Sequence, residues 1–316
     1  MKRFTTYTFV ALMALVAFGC RHKGFDDDES TMMRINVVFD WQKAPDAHPQ
    51  SMALYLYPDG GGQPLRYVFQ NCTGGEIAVP VGSYTALCVN NDNTDWAELR
   101  NTGAIETFEI HTPPVAGISL TDLRTSDPEE GELQDSALVQ TPCLLWSDAG
   151  EAFSLNPSDT EKTLTMYPEE SGCHYTIDIY DIDNPASVAD RNIFATFSGL
   201  ADGYDPGTHH PSVNNVTMPL SMTISDDGSQ IHGEFLNFGQ CPDIRYINEL
   251  RLHVFLTDGS AWAYSFDVTD QAHNAPDPRN VHIVLRGLPV PKPIDFAGGL
   301  RPVVEDWLVE HIDLNM

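Results

Sequence analysis

Apolar and polar residues alternate with a period of two along most of this chain. The alternation is strict across 174–180 and 216–224, and it recurs in 34–41 and 250–256. A period of two places successive side chains on opposite faces of a β-strand. No segment keeps a helical period of 3.6 residues beyond two turns. The pattern therefore predicts an all-β chain.

Clusters of Gly, Pro, Asn and Asp separate the predicted strands. Two runs of about seven short strands, split near 168–172, indicate two tandem β-sandwich domains, at 34–168 and 169–316. Short helical turns are predicted at 121–124 and 185–191. The predicted strands are 35–41, 52–57, 65–69, 77–79, 84–90, 105–110, 144–146, 163–167, 174–180, 193–200, 216–224, 231–238, 250–256, 262–268, 281–285, 303–307 and 312–314.

The first 20 residues have the form of a secretory signal. Lys2 and Arg3 precede an apolar run of 12 residues at 7–18, and Gly19 and Cys20 follow it. A spanning helix needs about 20 apolar residues, so this run is too short to be a permanent anchor. A cysteine directly after the apolar core resembles the lipobox of bacterial lipoproteins. This resemblance predicts a signal peptide at 1–19 and a diacylglycerol on Cys20. The alternative is an ordinary signal peptide with an incidental cysteine.

The segment 20–33 is predicted to be an acidic tether. Four consecutive acids at 26–29 are typical of a solvated segment, and they resemble the acidic export signal of surface lipoproteins in Gram-negative anaerobes. The whole chain has a net charge of −28, and removing 1–19 leaves 15 basic and 45 acidic residues. This charge argues against nucleic acid as a partner and against adhesion to anionic membranes.

Five cysteines remain after Cys20, so at least one is unpaired within the chain. They include no CxxC and no spacing suited to zinc. A disulfide and buried free thiols both stay open, and the closest pair in sequence is the first two. The five are Cys72, Cys88, Cys143, Cys173 and Cys241.

Three polar groups are candidates for chemistry. His209 and His210, with Asp202 and Asp205, could hold a metal, but adjacent histidines need special geometry to converge, so a solvated loop is favoured. The loop 90–95 has oxygen ligands suited to calcium but lacks the spacing of a calcium loop, so turn residues are favoured.

Asp178, Asp181 and Asp183 could form a catalytic carboxylate pair. Asp178 and Asp181 have an odd separation and fall on opposite faces of a strand, and Asp183 closes a turn. The chain has no nucleophile elbow, phosphate loop, HExxH or EF-hand loop. No catalytic residue, metal or cofactor is therefore predicted.

Aromatic residues could stack on sugars, as a surface glycan-binding protein requires. Trp146 and Trp262, like most aromatics here, occur in predicted strands, so core packing is favoured for them. Trp96 lies in a polar loop and is the exception.

The order of several short motifs resembles the FimB-type fimbrial anchor and fimbrillin-associated lipoproteins of the type V pilus system, and related domains of unknown function in surface lipoproteins. The motifs extend through most of the chain after Cys20. They are Val38-Phe39-Asp40-Trp41, Leu54-Tyr55-Leu56-Tyr57-Pro58-Asp59-Gly60, Val79-Pro80-Val81-Gly82-Ser83-Tyr84, Val89-Asn90-Asn91-Asp92, Phe197-Ser198-Gly199-Leu200-Ala201, Phe235-Leu236-Asn237-Phe238-Gly239 and Val303-Val304-Glu305-Asp306-Trp307.

The resemblance implies two transthyretin-like, Greek-key sandwiches, lipid attachment at Cys20 and no enzymatic activity. It also implies an outer-membrane surface protein that anchors or assembles a fimbria and binds fimbrial subunits by strand complementation. Nothing in the sequence identifies a donated strand. The alternative from another class is a surface glycan-binding lipoprotein of a polysaccharide-uptake system.

Overall fold

A computed structural model describes residues 32–92, 96–116, 136–159, 161–243, 245–293 and 308–311. The predicted signal peptide, Cys20 and almost all of the tether lie outside these residues, and so do the predicted helical turn at 121–124 and the predicted strands at 303–307 and 312–314.

The described residues form 22 strands, one short α-helix and several 3-10 turns. The helix is Thr269–His273, and the 3-10 turns are Trp41–Lys43, Ile105–Thr107 and Pro185–Ser187. The strands are β1 Met32–Phe39, β2 Met52–Pro58, β3 Leu65–Phe69, β4 Gly74–Pro80, β5 Gly82–Asn90, β6 Glu98–Arg100, β7 Glu109–His111, β8 Ala137–Leu138, β9 Trp146–Ala149, β10 Phe153–Leu155, β11 Thr163–Met166, β12 Glu169–Glu170, β13 Cys173–Tyr180, β14 Val188–Ala201, β15 Gly203–Asp205, β16 His210–Pro211, β17 Asn215–Ile224, β18 Gln230–Asn237, β19 Glu249–Leu256, β20 Ala261–Asp267, β21 Asn280–Arg286 and β22 Leu308–His311.

The first sandwich packs a three-stranded sheet on a six-stranded one. The first sheet has the order β11-β1-β4 and the second the order β12-β9-β5-β2-β3, with β10 beside β5. Ile35 and Val37 of β1 and Leu54 and Leu56 of β2 are buried in one core between the sheets. The alternating side chains of each strand therefore supply this core, as the period of two requires.

The second sandwich is built from one continuous series of paired strands, which folds into two layers around a core. Their order is β21-β13-β18-β17-β14-β19-β20-β22, with β8 beside β17. The long strand β17 takes part in both layers, because it pairs with β14 along most of its length and with β18 at its end. Tyr175, Phe197, Leu252 and Ile283 are fully or almost fully buried between the layers.

A small sheet joins the two halves of the chain. Its order is β16-β15-β7-β6, so strands from before and after residue 168 pair directly, through β7 and β15. A third apolar cluster lies beside it and contains Tyr55, Phe108, Ile110, Tyr204 and Phe238. One consequence is that β2 is buried on both faces, with Leu54 in the first core and Tyr55 in this cluster.

The predictions of an all-β fold and of sandwiched sheets are confirmed. The predicted strand at 105–110 is wrong, because Ile105–Thr107 forms a 3-10 turn and only Glu109–His111 is a strand. This turn brings Phe108, which is fully buried, against Tyr55 at a centroid distance of 5.1 Å. The predicted helical turn at 185–191 ends at Ser187, because Val188 already pairs with Leu256. The domain boundaries stay a prediction.

Candidate functional site

The candidate functional site is the outer edge of the second sandwich, at β20. On one side β20 pairs antiparallel with β19, from Glu249↔Asp267 to Phe255↔Ala261. On the other side it pairs in parallel with β22, from Trp262↔Leu308 to Ser265↔His311. An extended segment from the end of the chain therefore covers the edge of the sheet.

A tight hairpin and buried aromatics fix β20 in place. Gly259 turns the chain with a φ of +88°, and the Asp258 carboxylate accepts a hydrogen bond from the Ser260 N–H at 2.8 Å. Tyr264 is fully buried and donates its hydroxyl hydrogen to the Pro289 carbonyl at 3.1 Å. The edge is therefore preformed by elements other than β22.

The outermost strand of this edge is the short strand β22. It has four residues, and all its described strand pairing is with β20. A sheet edge presents a row of N–H and C=O groups that can pair with any extended segment of suitable register. In this structure β22 fills that place along part of β20.

A buried charged cluster lies where the two halves share a sheet. His111 of β7 is 1 % exposed, with Nδ1 3.0 Å from the Asp202 carboxylate and Nε2 3.0 Å from the Glu109 carboxylate. The Ser212 hydroxyl and the Asn214 amide also donate to Asp202. A carboxylate buried in this way is stabilised by the hydrogen bonds that it accepts.

These contacts shift both titrations toward the charged forms. Burial lowers the pKa of His111, but the hydrogen bonds with Asp202 and Glu109 outweigh it and raise that pKa above 6.5. Burial likewise raises the pKa of Asp202, but the hydrogen bonds from His111 and Ser212 outweigh it and hold that pKa below 3.8. His111 and Asp202 form a buried ion pair between β7 and the end of β14.

The structure does not bring the predicted metal candidates together. Asp202 is occupied by His111, whereas Asp205 accepts hydrogen bonds from the N–H groups of the following turn. His209 lies 3.4 Å from the Tyr204 hydroxyl, and His210 is exposed in β16. Within the described ranges, no three His, Cys, Asp or Glu side chains are arranged to hold a metal.

The three aspartates proposed as a carboxylate pair have separate roles. Asp178 is 7 % exposed and bridges His232 at 2.8 Å and His282 at 2.7 Å, on the outer face of the second sandwich. Asp181 pairs with Arg286 at 3.2 Å, and the Asp183 N–H donates to the Leu288 carbonyl.

The tryptophans do not form an exposed stacking platform in the described part of the chain. Trp96, expected to be the exception in a polar loop, is only 8 % exposed and packs near Phe238. Trp262 packs against the second core. Trp146 is half-buried and meets Trp41 edge-on at 6.2 Å.

The described part of the predicted calcium loop, 90–92, is engaged in hydrogen bonds within the protein. Asn90 is 2 % exposed and links Leu144, Trp146 and Asp92 by hydrogen bonds, while 93–95 lie outside the described residues. All five cysteines from Cys72 onward are free thiols.

None of the described helices is long and apolar enough to cross a membrane.

Comparison with known families assigns the chain. A family model described as a domain of unknown function (DUF5119) matches residues 19–221, which is more than half of the 316 residues. The chain belongs to the DUF5119 family. The matched residues include Cys20, the first sandwich and the strands of the small sheet that joins the two halves.

A comparison with curated proteins gives a relative of part of the chain. A Bacteroides ovatus protein provisionally named fimbrium anchoring subunit Fim4B is 28 % identical over 120 residues, which are 37 % of this chain and 35 % of that protein. The matched region thus spans about a third of this curated relative.

Two solved structures share the fold. A provisionally assigned adhesin from Bacteroides ovatus superposes with a TM-score of 0.65 at 20 % identity, over 85 % of this chain and 95 % of that one. A Bacteroides thetaiotaomicron protein provisionally assigned to polysaccharide binding superposes with a TM-score of 0.51 at 10 % identity, over 81 % of this chain and 91 % of that one.

Sequence reasoning did not find the His111 cluster. Glu109 and His111 are two apart and share one face of a strand, which was a usable signal. Nothing in the sequence marks Asp202, 91 residues later, as their partner.

Proposed function

We propose that this protein is a non-catalytic surface lipoprotein that anchors or assembles fimbriae. A lipid on Cys20 would hold it at the outer membrane, an acidic tether at 20–33 would separate it from the lipid, and sandwiches at 34–168 and 169–316 would meet fimbrial subunits. The match to the family model begins at residue 19, next to Cys20, and the relative Fim4B is named as an anchoring subunit, which supports this proposal.

The observation that carries the proposal is the covering of β20 by a strand of four residues. The edge strand β20 has seven residues and pairs fully with β19, whereas its cover has four and follows a long connection from β21. In strand complementation, a partner's extended segment takes such a place and forms the same backbone hydrogen bonds. We propose that a fimbrial subunit replaces β22 on β20.

The test is to remove β22. A chain lacking 308–316 should bind purified fimbrial subunits about tenfold more tightly than the intact chain, because the partner no longer competes with the covering strand. A chain lacking only 312–316 is the matched control, since it keeps β22. Surface plasmon resonance measures the affinity, and hydrogen exchange reports the β20 amides. Unchanged affinity together with unchanged exchange would contradict the proposal.

A further inference from the structure

A pocket of about 620 Å³ lies where the first sandwich meets the outer face of the second. Its volume falls in the range of about 300–1,000 Å³ that is typical of ligand sites. One wall comes from the end of β5 and the segment before β9, and the floor comes from β13 and β18. The strand exchange proposed above does not involve this pocket.

The wall is preformed by one buried amide. Asn90 accepts a hydrogen bond from the Trp146 N–H at 2.9 Å and donates to the Leu144 carbonyl at 3.2 Å. It also donates to Asp92 at 2.8 Å, and Asp92 accepts a second bond from the Gln50 N–H at 2.9 Å. The backbone at Trp146 and the carboxylate of Asp92 are thus held at the pocket before any ligand arrives.

The floor follows from strand alternation. Thr176 of β13 lies opposite Glu234 of β18, and His174 lies opposite Leu236. Tyr175 between them belongs to the second core, so these four side chains are on the outer face that lines the pocket. Polar and apolar groups therefore lie side by side on the floor.

The charge of the pocket is negative. The described residues that line it include Asp92 and Glu234 but no Lys or Arg. Glu234 is exposed and has no hydrogen bond or ion pair with any other described residue. His174 is engaged by Glu170, and nearby Arg279 contacts Glu169 and the Glu170 carbonyl. An anionic ligand would be repelled from this pocket.

Several other side chains that line the pocket are apolar. Leu144 is 40 % exposed, and Leu236 and Trp146 are half-buried. Lys and Arg side chains match such a mixture, because their aliphatic stems cover apolar surface while the charged head meets carboxylates or an aromatic ring. The volume exceeds the space that one such side chain fills, so it also admits the adjoining backbone.

We propose that this pocket binds an arginine or lysine side chain presented by a partner protein. Glu234 supplies a carboxylate that no described residue engages, Asp92 adds negative potential, and Trp146 with Leu144 contacts the aliphatic stem. The site does not involve β20 or β22, so this proposal and the proposed strand exchange can fail independently.

The test compares two isosteric probes on the full chain. N-acetyl-arginine methylamide should bind at least about tenfold more tightly than N-acetyl-citrulline methylamide, which has the same shape without the charge. Isothermal titration calorimetry measures both affinities. The arginine probe should also slow maleimide labelling of Cys143, an exposed thiol that lines the pocket, as followed by peptide mass spectrometry.

The variant Glu234→Gln removes one charge and keeps the shape of the side chain. It should weaken the arginine probe about fivefold or more, whereas Glu161→Gln, an exposed acid outside the pocket, should not. Removing 308–316 should leave binding of the probe unchanged. Equal affinity for the citrulline probe, an unaffected Glu234→Gln variant, tighter binding of putrescine, or displacement of the arginine probe by a neutral oligosaccharide would each overturn the proposal.

Discussion

At the scale of single residues, the pair of His111 and Asp202 shows how a buried charge is retained in this fold. Their contact at 3.0 Å joins β7 to the segment between β14 and β15. Asp202 accepts further hydrogen bonds from Ser212 and Asn214, and His111 is bound by Glu109 on its other nitrogen. Removing one partner leaves the other charge buried without full compensation.

We expect Asp202→Asn to lower the free energy of unfolding by about 2 kcal/mol, because it removes the charge that stabilises buried His111. Urea denaturation measures this change. The matched control is Asp181→Asn, since the Asp181–Arg286 pair is 66 % exposed on both sides and such pairs contribute little. Equal costs for the two variants would contradict this account.

The same pair predicts a dependence of stability on pH. The pKa of His111 is raised above 6.5 in the folded chain, so its contribution is present below that pH and is lost as pH rises through the folded value. The pKa of Asp202 is lowered, so its contribution is present above pH 3.8 and is lost as pH falls through the folded value. Glu109 and Arg100 are the other charged groups that face His111.

Urea denaturation between pH 6.5 and 8.5 should therefore show that the free energy of unfolding of the intact chain decreases as pH rises. This decrease should be smaller in Asp202→Asn. Its slope cannot exceed about 1.4 kcal/mol per pH unit for one proton. An NMR titration of His111 should give a lower pKa in the variant. Identical slopes and an unchanged His111 pKa would show that the pair is not coupled.

At the scale of elements, β14 depends on one glycine. The pairing of β14 with β17 shifts register between Phe197 and Leu200, and Gly199 lies in this bulge with a φ of +78°. A Cβ there would lie 2.4 Å from the Ile247 carbonyl oxygen and 2.6 Å from the Asn248 amide. Both the backbone conformation and the close approach require glycine.

Gly199→Ala is expected to destabilise the fold by about 3 kcal/mol or more, because backbone strain and a clash with backbone act together. Gly259→Ala is the matched control. Gly259 has a similar φ of +88° but nothing within 4 Å of its added Cβ, so only the strain of about 1–2 kcal/mol remains. Thermal and urea unfolding of both variants separate the two effects. A cost for Gly199→Ala no larger than that of the control would rule out the clash.

At the scale of the whole molecule, a shared apolar cluster ties the two halves together. Trp96 and Tyr204 both lie 6.4 Å from Phe238, and Phe108 packs on Tyr55. Together with the pairing of β7 and β15, this cluster buries the seam between the sandwiches. The two halves are therefore joined by both backbone hydrogen bonds and apolar packing.

The proposed anchoring makes its own prediction about the whole molecule. Cys20→Ser should remove labelled fatty acid from the protein and shift it from the outer-membrane fraction to a soluble one, because several acyl chains are needed to hold a protein on a bilayer. Cell fractionation and mass spectrometry measure both effects. Cys143→Ser is the control and should change neither. A Cys20→Ser protein with unchanged mass and location would contradict the lipoprotein assignment.

The sequence by itself determined the strands in which apolar residues either alternate regularly or form one continuous run. The alternation in 174–180 and 216–224 predicts β13 and β17 closely, because one face of each strand packs in a core. The apolar run at 52–57 likewise predicts β2, a strand buried on both faces. These elements need no knowledge of distant residues.

For the strand faces that point away from a main core, only the tertiary structure decided which side chains are buried and which residues they contact. Arg251 and His253 lie opposite the core face of β19, yet they are 6 % and 0 % exposed, and burial together with Arg251 lowers the pKa of His253 to about 3. Ile105 lies in a 3-10 turn, although its pattern predicts a strand, and the residue after this turn, Phe108, packs in the apolar cluster between the two halves. His111 likewise meets Asp202 only after folding. A local pattern reports the preferences of neighbouring residues, whereas these contacts depend on surfaces that come together from distant parts of the chain.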